Sequence, residues 1–124
     1  MEFPRLRQLI WVGASKRDYD SFPADLRHEL GYLLYLVQAG ESVAQEKLLV
    51  GGALKGLGIR ELIGYDDGDT YRVVYTVRLR AGIYVLHAFK KKSKSGIATP
   101  RSEIELIRSR YAVAMKLDDA ASPL

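Results

Sequence analysis

A chain of 124 residues, 48% apolar and 27% charged, is long enough for one domain with a hydrophobic core. It has no cysteine, so a disulfide framework and a thiolate metal site are excluded; its two histidines, His28 and His87, lie far apart with no carboxylates at zinc-ligand spacing, and no metal or other cofactor is implied. The net charge is +4, no stretch approaches the ~20 apolar residues of a membrane span, and Glu2, Pro4, Arg5 and Arg7 stand where a secretion signal needs an apolar run, so a cytoplasmic location without membrane contact is expected.

The charge is unevenly spread. No acidic residue occurs between Asp69 and Glu103, a window that holds Arg72, Arg78, Arg80, Lys90, Lys91, Lys92, Lys94 and Arg101. These eight are drawn from 19 basic residues, and all 15 acids lie elsewhere, which leaves the rest of the chain mildly acidic. A cationic module on an acidic body suits a polyanion, with nucleic acid the leading candidate.

In chain order, residues 8–12 (QLIWV) form a short apolar run closed by Gly13 and read as a first strand. Ser15 is placed to cap a short helix over residues 16–21, and Pro23 to stand in the first turn of the next one. Leu26, Leu30, Leu33, Leu34 and Val37 then mark one face of an amphipathic helix that Gly40 ends. Residues 41–52 show no period and read as loop, followed by a glycine-punctuated stretch to Gly58. Residues 59–65 read as a strand, Asp67-Gly68 as a tight hairpin turn, residues 70–78 (TYRVVYTVR) as the strongest strand, and residues 83–89 as the next, predicting an antiparallel meander. Thr99 and Pro100 announce a last helix with Ile104, Ile107, Tyr111 and Ala114 on one face, and residues 116–124 read as a frayed tail. The chain is thus expected to be a single α+β domain over residues 1–124, with its core at about 9–114.

Alternation places Tyr71, Val73, Tyr75 and Val77 on one face of their strand, toward the long helix, and Arg72, Val74, Thr76 and Arg78 on the other. In the next strand Val85, His87, Phe89 and Lys91 are expected to share a face opposite Tyr84, Leu86 and Ala88. Which of these joins Arg72 depends on register, which the pattern leaves open.

Four segments carry a resemblance: Leu54-Lys55-Gly56; Gly68 to Tyr75 (GDTYRVVY); Tyr84 to Ser93 (YVLHAFKKKS); and Thr99 to Ile104 (TPRSEI). Their order and spacing resemble the phage-derived HigB-like branch of the RelE/ParE toxin superfamily over most of the chain. The resemblance implies a small twisted antiparallel sheet backed by two N-terminal helices, with a C-terminal helix. It implies the toxin of a type II toxin–antitoxin pair, an endoribonuclease that cuts messenger RNA on the ribosome. It also implies a cognate antitoxin encoded alongside, often with a helix-turn-helix. Two other readings stay open: a gyrase-binding toxin of the ParE kind, and a non-toxic phage-derived binding domain.

RNA cleavage needs a base for the 2′-hydroxyl, cations for the phosphorane and an acid for the leaving oxygen. By resemblance Arg72 is the transition-state cation, with a surface arginine that pairs with Glu61 or an aspartate its plainer alternative. Lys91 and His87 are further catalytic candidates; His87, in an apolar run, is the more ordinary packing histidine. Lys55, Arg78, Lys90, Lys92 and Lys94 are candidate RNA contacts, although a lysine run is commonly just a solvated loop. Ile63 stands where many relatives carry an arginine, so part of the cationic set is either missing or supplied elsewhere, with Arg60 and Arg78 the candidates.

Overall fold

The computed structural model describes residues 5–91 and 99–121. The elements are β1 (Leu9–Trp11), α1 (Ser15–Asp20), α2 (Ala24–Gln38), β2 (Glu46–Leu48), a 3₁₀ turn (Gly52–Leu54), β3 (Ile59–Asp66), β4 (Asp69–Thr76), β5 (Ile83–Lys91) and α3 (Arg101–Ala121). They build the expected α+β architecture around a five-stranded mixed sheet of order β1-β5-β4-β3-β2. The meander β3-β4-β5 is antiparallel, and β1 adds to β5 in parallel. β2, a polar three-residue edge strand within the stretch read as loop, pairs antiparallel with β3. It has too few residues to display a period.

Both faces of the sheet are covered. On one, Leu26, Leu30, Leu33, Leu34 and Val37 of α2 pack with Leu62, Tyr71, Val73, Tyr75, Ile83 and Val85. On the other, Ile107 and Ala114 of α3 pack with Leu54, Ile59, Val74, Tyr84 and Leu86. Helix and sheet approach closely at Gly64, where a Cβ would stand 2.7 Å from Leu26 Cδ1. Asp67 (φ 48°) and Gly68 (φ 80°) form the β3–β4 hairpin turn, both central residues being left-handed as that tight turn requires.

Several local expectations are corrected. Ser15 does not cap α1; its buried hydroxyl donates to Val85 O (3.1 Å) and ties the helix to β5. Pro23 and Pro100 each stand one residue before their helix, where their carbonyls accept the first intrahelical bonds from Arg27 N and Ile104 N. The tail expected to fray is helical to Ala121, because the buried Asp118 accepts the N–H groups of Arg80 (2.9 Å) and Ala81 (2.7 Å) and the Tyr84 hydroxyl (3.1 Å). The carboxylate of α3 thereby closes the β4–β5 loop.

The largest correction concerns β5. Val74 pairs with His87 but Tyr75 pairs with Val85, so Leu86 is an extra residue in a β-bulge. One extra residue inverts the alternation. Ile83, Val85 and Ala88 pack on the α2 side, whereas His87 and Phe89 stand opposite Val74 and Arg72, on the α3 side. Val85 and His87 therefore do not share a face.

Candidate active site

The α3 face of the sheet carries a cross-strand row of charged groups. In register, Lys47 of β2 stands opposite Glu61 of β3, and Ile63 opposite Arg72 of β4, which in turn faces Phe89 of β5. The Arg72 guanidinium reaches back along the diagonal and donates through Nη1 to Glu61 Oε1. The pair is desolvated: the Glu61 side chain is 2% exposed and that of Arg72 12%. Glu61 Oε2 and Arg72 Nε are buried without a hydrogen-bond partner among the described residues.

These groups floor a cleft of about 500 Å³ that Lys47 and Lys91 also line. Its walls come from Leu48 to Leu54 on one side and from Thr99 and Ile104, at the start of α3, on the other. Among the described residues the cleft therefore combines an apolar rim with three cations around one buried carboxylate. Burial, and next the Arg72 charge, hold the Lys91 ammonium below the usual lysine range, with Lys47 adding to the depression and Glu61 opposing it.

The sequence candidates are dispersed by the fold. Arg72 and Lys91 come together in the cleft. Lys90, one residue from Lys91, points to the other face, where it pairs with Asp69 (2.9 Å) and lies over the Tyr71 ring. The hydrogen bond that its ammonium donates to Asp69 raises its pKa. His87 is 5% exposed and lies one strand beyond Val74 in the row, two strand spacings or roughly 10 Å from Glu61. Its Nδ1 is 3.2 Å from Arg110 Nη1, its Nε2 contacts Glu103, and its ring stacks on Phe89. Arginine only donates, so Nδ1 accepts and Nε2 carries the proton toward the carboxylate. His87 thus has both nitrogens occupied, outside the cleft.

Lys55 is exposed at the end of the 3₁₀ turn; its neighbour Leu54, not Lys55, forms the cleft wall. Arg78 lies against Gly58 and donates to Gly56 O (3.0 Å). Lys92 and Lys94 lie outside the described residues. Arg60 is on the α2 face, paired with Glu46, whose other oxygen accepts the Tyr75 hydroxyl. Neither Arg60 nor Arg78 is among the residues that line the cleft beside Ile63. Lys47 does stand in the cleft, opposite Glu61. Its role had no local signal, because it depends on an edge strand that pairs with a segment fourteen residues away.

A small α+β domain, with a mixed sheet between helices and a cationic cleft on one face, is compatible with the RelE-like fold. The chain belongs to the family described as phage-derived protein Gp49-like (DUF891), which matches residues 17–112 and whose members are candidate toxins of toxin–antitoxin systems related to the RelE/ParE type. No curated protein and no solved structure matches the chain. No helix among the described residues is long and apolar enough to cross a membrane.

Proposed function

We propose that the protein is the toxin of a type II pair of the HigB-like kind and a messenger RNA endoribonuclease, acting in the cytoplasm on ribosome-bound message. One observation supports this best: Arg72 and Lys91, from adjacent strands, converge in a half-open cleft in which Lys91 is held below the usual lysine range. A planar guanidinium matches two phosphate oxygens. A lysine of lowered pKa is a better proton donor to a departing 5′-oxygen than a solvated one. Lys47 extends the positive charge along the backbone path. The cognate antitoxin, encoded alongside, is the partner that covers this cationic face.

Induced expression in a bacterial host, with primer extension on messages and a plasmid topology assay, tests the reading. Growth arrest with messages cut inside translated regions is the expected result. Arrest with intact messages and altered supercoiling would point to gyrase binding, and unimpaired growth with folded protein to an accessory domain.

A further inference from the structure

The buried, half-partnered carboxylate at the base of the cleft has no part in the reaction so far. Glu61 gives Oε1 to Arg72, while Oε2 has no partner among the described residues although it is out of water. An unsatisfied buried acceptor is costly, and a well-packed sheet normally replaces it or pairs it. Here it lines a cleft, and every charged group that faces it among the described residues is cationic: Arg72 from β4, Lys91 from β5 and Lys47 from β2. The part of α3 that closes the cleft contributes Ile104, which carries no charge.

We propose that Glu61 is the general base of RNA cleavage, uncovered when the scissile phosphate draws Arg72 away from it. This rests on the ribonuclease reading of the same cleft. In the free protein Arg72 covers and neutralises the carboxylate. A bound phosphate competes for the same guanidinium, because it offers two oxygens in a matching geometry. A carboxylate that loses its cation in a desolvated site becomes a stronger base. The step then balances. Glu61 takes the 2′-hydroxyl proton, the 2′-oxygen bonds to phosphorus, and the bond from phosphorus to the 5′-oxygen breaks. Lys91 gives a proton to that oxygen, leaving a 2′,3′-cyclic phosphate and a 5′-hydroxyl. Solvent returns Glu61 and Lys91 to their starting states. The ion pair of the resting site is thus a cover on the base that only a phosphate in place removes.

The test is single-turnover cleavage of a synthetic messenger bound to bacterial ribosomes, at saturating protein, from pH 4 to 9, for the intact chain and for Glu61→Gln and Glu61→Asp. The intact chain should show a rate that rises with unit slope on the acid side. Glu61→Gln should lose about 10²-fold or more in rate, bind RNA at least as tightly as the intact chain because phosphate no longer competes with a carboxylate for Arg72, and lose the acid limb. Glu61→Asp, still ionisable, should be slower but keep the limb. If Glu61→Gln lowers the rate by one factor at every pH and keeps the limb, Glu61 only holds Arg72 and the proposal fails. An intact chain with a flat profile on the acid side overturns it without any variant, should Glu61→Gln not fold. An intact chain that cuts no message at all removes the ribonuclease reading itself.

Discussion

Removing the Arg72 guanidinium tests fold and chemistry together, because the same group neutralises a buried carboxylate. With Glu61 2% and Arg72 12% exposed, the pair lies in the range where deleting one partner strands a charge out of water, at about 3–5 kcal/mol. A domain of this kind has about 5–15 kcal/mol in total. Arg72→Ala is therefore expected to lower the unfolding free energy by about a fifth or more, and the melting temperature by roughly 10–20 °C. It should also lose about 10²–10³ in cleavage rate if the guanidinium meets the developing phosphorane charge. The two losses are separated by Arg72→Met combined with Glu61→Met. Replacing both members of a buried pair with apolar groups is often neutral for stability. The double variant should regain most of the stability and none of the activity. Urea unfolding followed by circular dichroism gives the coupling energy from the intact chain, the two single methionine variants and the double one. Cleavage is measured well below each transition. An Arg72→Ala protein within about 1 kcal/mol of the intact chain, or a coupling energy near zero, refutes the desolvated pair. A double variant that cuts at the original rate removes Arg72 from the chemistry.

Three further outcomes follow from the charged groups. Because the Lys91 pKa is lowered by folding, the unfolded chain binds more protons between the two values and stability rises with pH through that window. Lys91→Met should accordingly raise the urea midpoint at pH 7, with a gain that shrinks toward pH 10, while abolishing cleavage; a lower midpoint at pH 7 contradicts the assignment. The Asp118 pKa is lowered, first by the Arg80 N–H and next by that of Ala81, so its contribution is present above the ordinary carboxylate range and lost as pH falls through the folded value. Asp118→Asn should destabilise at pH 7, with the gap to the intact chain closing in strong acid, and a pH-independent gap would show that shape rather than charge matters there. Lys91→Gln should flatten the plot of log RNA affinity against log salt by about 0.7 per phosphate contact, whereas Lys90→Gln, on the far face and paired with Asp69, should leave the slope unchanged; equal effects would place RNA on both sides of the strand end.

Much of the architecture is written locally. The spacing from Leu26 to Val37 is enough for α2, because a helix buries one stripe and these residues supply it. Asp67-Gly68 is enough for the hairpin turn, since few other pairs accept two left-handed conformations in succession. The alternation of Tyr71, Val73 and Tyr75 correctly assigns the α2 face of β4, and the acid-free window supplies Arg72 and Lys91 of the cleft. What local pattern lacks is any knowledge of the partner strand. Leu86 looks like one more strand residue, yet as a bulge it inverts parity and carries His87, Phe89 and Lys91 to the side of Arg72. Lys90 and Lys91 are equivalent in composition and opposite in consequence, because consecutive strand residues face opposite ways. Glu61, Lys47 and Asp118 act through groups 11 to 38 residues distant, which only the folded chain brings within reach. The fold class was therefore legible from runs and spacings, and the family from the resemblance of four segments, whereas the cleft was settled by register, where a single inserted residue decides which side chains meet.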